Sequence, residues 1–382
     1  MIFATEGSAS VYAMLFTEYT ESFKLQDLSI LSSHLIGQDK QILRFVPTQL
    51  PANLIYMPRS DGRELSLTYL REQEVFAWAE HETQGLYKDI MIIKEEGVEV
   101  RYQAVERKIR GTWHKYLERA PLRLDDYAEN YWGVDCGLHY PLTSGVGEIF
   151  ADAETGTTTI TTENAIFTSG NIGDIIYYAG GKFQIETVPT SYTVTGTWLR
   201  DADNVLPQGS GNIPIIADTG EWEYATPTSE ISGLWHLEGE TISVCADGNA
   251  ILDRVVVDGK VSIGFPATKI YGGLQYICDF QTLPIVLNNA NVISLPKRIY
   301  AVFPRLLASR GMSFGTSFDN LFEMKDRTDE LWGDSLELRA DVSELLLDDG
   351  YSLDQYLCGR QKYPLPATIL GYSARFDSGD PA

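Results

Sequence analysis

The sequence is poor in basic residues. Lys and Arg together number 30, against 53 Asp and Glu, which leaves a net charge of −23. There is no basic stripe to neutralise phosphates, and this disfavours a cationic DNA-binding surface. The simplest meaning of the acidic excess is a soluble surface. A second meaning is a surface that touches DNA without holding it, because like charge repels a polyanion.

Cysteines and long apolar runs are also scarce. No apolar run approaches the roughly 18–20 residues that a membrane helix requires, and the N-terminus lacks the basic and apolar regions of a secretory signal. We therefore expect synthesis and folding in a cytosol. The four cysteines lie far apart without a C-x-x-C pair, so we predict buried free thiols rather than disulfides or a zinc site; they are Cys136, Cys245, Cys278 and Cys358.

The stretch Pro58–Thr83 predicts two strands joined by a tight, charged turn. Asp61-Gly62, before the first strand, is a turn signal. The second strand, within Glu74–His81, places Phe76 and Trp78 on one face. The first strand has a period of two that predicts one buried face: Leu65, Leu67 and Tyr69 alternate with Glu64, Ser66 and Thr68.

Short strands separated by glycine continue at Asp89–Lys94, Val98–Glu106 and Thr112–Arg119. This spacing is typical of a β-barrel, sandwich or propeller. One helix is predicted earlier in the chain, at Asp27–Ile36. Asp27 would cap it, and an apolar stripe would run along it, formed by Leu28, Leu31 and Leu35.

The composition changes after Pro121, towards Gly and Thr with very few basic residues. We interpret residues 145–227 as a small inserted β-barrel or sandwich, with Gly180-Gly181 as a hairpin turn signal. The earlier pattern then returns, with turn signals at Asp247-Gly248 and Asp258-Gly259.

The C-terminal part predicts a long, bent strand at 296–310, an acidic and loop-rich stretch with one short helix at 328–354, and a final strand within 363–377. The prediction is thus an all-β (mainly β) fold with a β-propeller-like domain. Its three parts are residues 1–144, which begin the propeller-like domain, the inserted module 145–227, and residues 228–382, which hold the returning β domain and the acidic, loop-rich C-terminal region.

No stretch predicts a catalytic, cofactor-binding or metal-binding residue, and we expect that the chain is not an enzyme and needs no cofactor. Ser144–Gly147 is not a G-x-S-x-G elbow, and the glycine doublets at 180–181 and 272–273 do not begin a P-loop. The histidines stand singly, at His34, His81, His114, His139 and His236. The acidic pairs are most simply surface residues, because sequence cannot show two carboxylates converging across a cleft; they include Asp125-Asp126, Glu95-Glu96, Glu238/Glu240 and Asp348-Asp349.

Six stretches carry a resemblance to a known family. Their most specific parts are L-x-Y-x-R-E-Q-E-V-x-A-W at Leu67–Trp78 and H-L-E-G-E at His236–Glu240. In order, the stretches are Asp27–Gly37, Leu54–Thr83, Glu99–Arg119, Ile231–Gly248, Gly259–Ile285 and Lys297–Gly315. Together they resemble the middle of the tail nozzle proteins of short-tailed bacteriophages, also called tail tubular protein B. The resemblance covers most of residues 20–375, and 145–227 is its most divergent part.

The resemblance implies a structural, β-propeller-containing subunit that assembles as a homohexameric ring at the distal end of a phage tail. Such a ring docks on a tail adaptor protein below the portal, meets tail fibres or spikes, retains packaged DNA and forms the ejection channel. The chain would be made and assembled in the bacterial host cytoplasm and would end in the virion tail. With this resemblance, the acidic excess is better explained by a channel that passes double-stranded DNA without sequence-specific binding than by a soluble surface alone. No channel-lining residue is identified.

One departure from the family concerns the N-terminus. Family members carry a long portion before the Asp27 motif, whereas 26 residues precede it here. Either a separate chain supplies that portion, or the propeller is incomplete and closes only in assembly. If the insert assignment is correct, deleting residues 145–227 should leave ring assembly intact, and a monomeric, unfolded product would refute the assignment.

Two rival functions stay open. One is a tail-associated glycan-binding or glycan-depolymerising protein, since β-rich, aromatic and acidic chains also serve that purpose. The other is a receptor-binding or fibre-docking adaptor in which residues 145–227 make the contact. Glycan cleavage that is lost on substituting one carboxylate pair would favour the enzyme, and cell-surface binding by the insert alone would favour the adaptor.

Overall fold

A computed structural model describes residues 1–17, 21–50, 52–95, 97–121, 127–202, 215–217, 219–285, 295–325 and 337–379. Strands dominate these ranges, which confirms the mainly-β class predicted from the sequence; the propeller stays a prediction. The helical residues in these ranges lie in short 3-10 turns, at Glu6–Ser8, Ser33–Leu35, Arg71–Gln73, Ala128–Asn130, Ser169–Asn171 and Trp235–Leu237.

The strands follow one another with short connections. As far as Ser144 they are β1 (Ile2–Ala4), β2 (Val11–Thr17), β3 (Ser22–Asp27), β4 (Val46–Thr48), β5 (Leu54–Pro58), β6 (Glu64–Leu70), β7 (Val75–His81), β8 (Leu86–Glu95), β9 (Val98–Ile109), β10 (Thr112–Arg119), β11 (Asp135–His139) and β12 (Thr143–Ser144). The next are β13 (Ile149–Ala151), β14 (Thr157–Thr162), β15 (Ile175–Tyr178), β16 (Gly181–Thr190), β17 (Thr193–Arg200), β18 (Ile215–Ala217), β19 (Glu223–Ala225), β20 (Thr228–Ser232), β21 (Thr241–Ala246) and β22 (Asn249–Val255). The last are β23 (Lys260–Ala267), β24 (Ile270–Leu274), β25 (Cys278–Gln281), β26 (Lys297–Leu307), β27 (Met312–Ser317), β28 (Asn320–Glu323), β29 (Leu345–Leu346), β30 (Cys358–Gln361) and β31 (Thr368–Ser378).

The N-terminal strands form three sheets of sequence neighbours: β1–β3, β4–β7 and β8–β10. The two strands predicted within Pro58–Thr83 are confirmed as β6 and β7, which pair from Glu64↔His81 to Leu70↔Val75. The turn predicted at Asp61-Gly62 is also present, with φ of +85° at Gly62, a conformation that glycine adopts without strain. Phe76 and Trp78 share one face, as predicted, and both pack against the core.

The prediction that β6 buries only one face is wrong for the first residues of the strand. Glu64 is fully buried and Ser66 nearly so, because the β8–β10 sheet and strand β7 supply polar partners. Arg101 Nη1 on β9 donates to Glu64 Oε1 at 2.7 Å, and His81 Nε2 lies 2.8 Å from Ser66 Oγ. Burying a carboxylate requires such a partner.

The helix predicted at Asp27–Ile36 is also wrong. Asp27 ends β3, and its Oδ1 accepts hydrogen bonds from Ser29 N and Ser29 Oγ, each at 2.8 Å. This local bond competes with helix formation, and only a 3-10 turn at Ser33–Leu35 follows. Leu28 is buried whereas Leu31 is 90% exposed, so these two leucines do not share a buried stripe.

The middle of the chain builds one eight-stranded sheet in the order β12-β19-β15-β16-β17-β14-β13-β18. Phe183, Trp198 and Trp222 lie in its core. A hairpin turn joins β15 to β16 as predicted, but one residue earlier, at Ala179-Gly180, where φ is +47° and +74°; Gly181 begins β16. The sheet uses residues between Thr143 and Ala225, while the division of the chain into three domains stays a prediction.

The C-terminal part builds the sheets β20-β23, β25-β30-β27-β28 and β29-β26-β31, and β11 from earlier in the chain completes a fourth, β11-β24-β21-β22. The turns at Asp247-Gly248 and Asp258-Gly259 are confirmed, since all four residues have positive φ. The predicted long strand and final strand are β26 and β31, and β26 shifts register just after Pro304, between Arg305 and Leu306. Residues 337–354 hold β29 and no helix; the rest of the stretch predicted to contain one, 328–336, lies outside the described residues.

Candidate functional site

A pocket of about 350 Å³ lies where the β9–β10 turn meets the 3-10 turn Trp235–Leu237. It brings the H-L-E-G-E motif at His236–Glu240 against a sheet more than a hundred residues earlier in the chain. We call it the junction pocket, and its lining residues are Ile109, Arg110, Thr112, His114, Tyr116, Trp235, His236 and Glu238.

The junction pocket is held by the two acidic residues of the motif. Glu240 Oε1 accepts from the backbone N of Arg110 at 2.8 Å, and Arg110 Nε donates to the backbone O of Glu238 at 2.6 Å. The Glu238 carboxylate accepts from the backbone N of Asp258 at 3.0 Å and of Gly259 at 2.5 Å. This pair of carboxylates therefore anchors two turns.

The aromatic wall of the junction pocket comes from both sides of the contact. The Tyr116 ring lies 6.4 Å from the His114 ring and 6.2 Å from the His236 ring, measured between centroids. His236 Nε2 lies 2.9 Å from the Cys136 carbonyl oxygen. Because a carbonyl only accepts, Nε2 must carry the proton, which leaves Nδ1 of the neutral ring as an acceptor.

Cys136, next to this wall, is not an activated nucleophile. Burial raises the pKa of its thiol to about 12, with the Glu118 carboxylate acting in the same direction. Nucleophilic attack by cysteine requires the thiolate. The thiol therefore stays protonated at neutral pH.

A second pocket, of about 210 Å³, lies between the eight-stranded sheet and the segment that follows residue 126. Glu129, nearly fully buried, pairs with Arg200 at 2.7 Å and with Lys182 at 3.7 Å. Lys269 Nζ donates to Asn130 Oδ1 at 2.6 Å and lies 4.1 Å from the Tyr177 ring centroid. Burial lowers the pKa of Lys269. These paired charges join the eight-stranded sheet to its neighbour.

The other residues considered for chemistry have structural partners. The His139 ring contacts the rings of Trp132 and Tyr271. Gly145 lies against the Trp222 ring, and the Gly147 carbonyl accepts from Trp222 Nε1 at 3.0 Å.

The structure describes only some residues of the remaining acidic pairs. Glu95 pairs with Arg119 at 2.8 Å, and Asp349 accepts from Thr316 Oγ1. Asp125, Asp126 and Glu96 lie outside the described residues.

All four cysteines are free thiols. Cys245 and Cys358 are buried as predicted, and Cys136 is partly buried. The prediction of a buried thiol is wrong for Cys278, which is exposed because it begins β25, an end strand of its sheet.

Sequence reasoning missed that His114 and His236 line the same pocket, each beside the Tyr116 ring. They are separated by more than a hundred residues, and each stands alone in the sequence. The one available signal was the period of two in β10, which places His114 beside Tyr116 and Thr112 on one face.

A second surface of interest is the hairpin of β2 and β3. Its exposed fractions are 53% at Phe16, 66% at Phe23 and 60% at Leu25, and the two Phe rings lie 5.4 Å apart. Residues 22–25 are all exposed, although successive side chains of a strand point to opposite faces. Both faces of β3 are therefore exposed over these residues.

No protein-family model and no curated protein matches this sequence. Among the residues that the structure describes, no helix has the length and apolar character needed to cross a membrane.

Proposed function

We propose that the chain is a structural subunit of a nozzle ring in the tail of a short-tailed bacteriophage. In this role it docks below the adaptor and portal, retains packaged DNA and forms the ejection channel. The observation that carries the proposal is the end strand β3 of the N-terminal sheet, which exposes Phe23 and Leu25. The proposal that this ring is a tail nozzle comes from the six sequence stretches, which resemble those of tail nozzle proteins in the same order.

Strand β3 stands at the end of the order β1-β2-β3 in the described part of the chain. An end strand is a template for pairing with another chain, and Phe23 and Leu25 of β3 add exposed apolar surface beside it. In a ring of identical subunits, the neighbour covers it. Burying the exposed parts of Phe16, Phe23 and Leu25 would contribute about 3–5 kcal/mol per contact before the cost of association is subtracted.

Two further features support the proposal. Strands β4–β7 form a four-stranded antiparallel meander, the kind of sheet from which propeller blades are built. The net charge of −23 suits a channel wall, because a wall of like charge does not bind the DNA that passes along it.

The ring and its contact are tested together by measuring the assembly mass of the purified chain, by native mass spectrometry and light scattering across a concentration series. We expect a closed oligomer that Phe23→Ser combined with Leu25→Ser shifts towards monomer. Leu283→Ser is the matched control, since Leu283 is 86% exposed but lies far along the chain from β3. A monomer at every concentration, with identical behaviour of all variants, would show that β3 is not a subunit contact.

A further inference from the structure

The junction pocket has features of a ligand site that the ring function does not require. Its volume of about 350 Å³ lies at the lower end of the 300–1,000 Å³ usual for small-molecule sites. Trp235, on its rim, is 67% exposed. An indole left this open beside a pocket offers a flat apolar surface to a ligand.

The Trp235 platform is fixed from below. The ring lies so close to the Gly259 backbone that a β-carbon at that glycine would stand 2.5 Å from Trp235 Cδ2. The Gly259 carbonyl accepts from Leu234 N at 2.9 Å, and its own N–H is bound by Glu238. The indole therefore rests on a turn that is held on both sides, and a pre-organised surface loses little freedom when it binds.

Polar groups stand around this platform. Thr112, His114 and Tyr116 line the pocket from one face of β10, and Tyr116 Oη reaches the His236 carbonyl at 3.5 Å. Hydroxyl and imidazole groups both donate and accept hydrogen bonds. A ligand with several hydroxyl groups and an apolar face matches this combination.

The charges of the pocket favour a neutral ligand. Arg110 is the cation among its lining residues, and its Nη2 is paired with Glu238 Oε1 at 3.4 Å. The net charge of −23 also repels anions, including nucleotides and acidic sugars. We infer that the junction pocket binds a neutral pyranose sugar, with the apolar face of the sugar against Trp235 and its hydroxyl groups towards Thr112, His114 and Tyr116.

This inference does not depend on ring assembly, and the site lies outside residues 145–227. The full chain should be titrated with methyl glucoside, methyl galactoside and methyl mannoside, which represent the terminal sugar of a glycan, and with the free sugars. Glucuronate serves as the anionic comparison. The readout is isothermal calorimetry together with saturation-transfer NMR, which detects weak binding.

We expect at least one neutral sugar to bind with a dissociation constant on the order of 1 mM, and glucuronate to bind more weakly. Trp235→Ala should weaken binding at least about tenfold, and Trp235→Phe should retain part of it. Trp113→Ala is the matched control. Trp113 is 53% exposed on the same strand as His114, but the strand alternation turns it to the other face, so binding should not change.

Circular dichroism and thermal melting of each variant establish that it is folded. The inference is overturned if no neutral sugar binds the wild-type chain, or if Trp235→Ala and Trp113→Ala weaken binding equally. It is also overturned if glucuronate binds best and Trp235→Ala leaves its affinity unchanged. A change of oligomeric state on Trp235→Ala without sugar binding would assign Trp235 to a subunit contact, and so overturn it too.

Discussion

Arg107 is a fully buried charge in the N-terminal half, and replacing it with Met should be severely destabilising. Its side chain is fully buried, with Nε 2.6 Å from Glu118 Oε1 and Nη2 2.7 Å from Glu118 Oε2. Its Nη1 donates to Thr83 Oγ1 at 2.6 Å, and Asp135 lies 3.9 Å away. One guanidinium therefore joins β9, β10, the β7–β8 connection and β11.

The expected magnitude follows from what Arg107→Met leaves behind. The Glu118 side chain is only 13% exposed, so its carboxylate would lose a two-point partner while staying largely out of water. Breaking such a pair costs about 3–5 kcal/mol, whereas replacing both partners with apolar residues is often close to neutral. Arg107→Met combined with Glu118→Leu should therefore be clearly more stable than Arg107→Met alone.

The loss of stability in Arg107→Met should also depend on pH. Burial raises the pKa of Asp135 above its usual value of 3.8, and Arg107 acts in the opposite direction. Without Arg107 the pKa of Asp135 rises further, so the folded chain holds a proton that the unfolded chain releases. A carboxyl group whose pKa is higher in the folded than in the unfolded chain stabilises the fold at acidic pH. This stabilisation is lost as the pH rises through the pKa of the folded chain. The Arg107→Met deficit should thus be smallest near pH 4 and complete at neutral pH.

Urea and thermal denaturation at several pH values measure these differences. Lys108→Met is the matched control, because Lys108 is exposed on the opposite face of β9 and should change stability by less than about 0.5 kcal/mol. The reasoning would be refuted if Arg107→Met matched this control, or if the double variant lost as much stability as the two single variants added together.

Two further predictions concern packing and thiol exposure. Gly145→Ala should lower stability by about 1–3 kcal/mol, because its new methyl group would stand 1.9 Å from Trp222 Cε2; a melting temperature equal to that of wild type would contradict this. Cys278 should react first with a thiol-alkylating reagent in the native protein, since it is exposed while Cys245 is buried. Peptide mass spectrometry after a short reaction checks the order, and equal labelling of both cysteines would contradict it.

Local signals made much of the β-structure predictable from the sequence. The Asp258-Gly259 turn depends on the backbone conformation of two residues. The placement of Phe76 and Trp78 on one face follows from the alternation of side chains along a single strand. A short stretch of sequence determines both. The helix predicted at Asp27 failed because the same carboxylate that caps a helix can bond Ser29 in a turn. Sequence alone does not decide between these two local outcomes.

Features made by distant segments could not be predicted. Glu64 is buried because Arg101 reaches it from another sheet, and the residues near Glu64 in the sequence do not predict that partner. The junction pocket requires the β9–β10 turn to meet the segment around His236. The sequence alone predicts surface acids at Glu238 and Glu240, and the bond from Glu240 to the β9–β10 turn exists only because the two segments meet.

The central claim, a nozzle ring subunit in a phage tail, is tested most directly by quantitative mass spectrometry of purified phage particles. The copy number of this chain is compared with that of the portal protein in the same particles. A sixfold ring below a twelvefold portal predicts half the portal's copy number. About three copies per tail fibre or spike would contradict the claim and move the chain to the tail appendages, and absence from the particle would remove it from the virion.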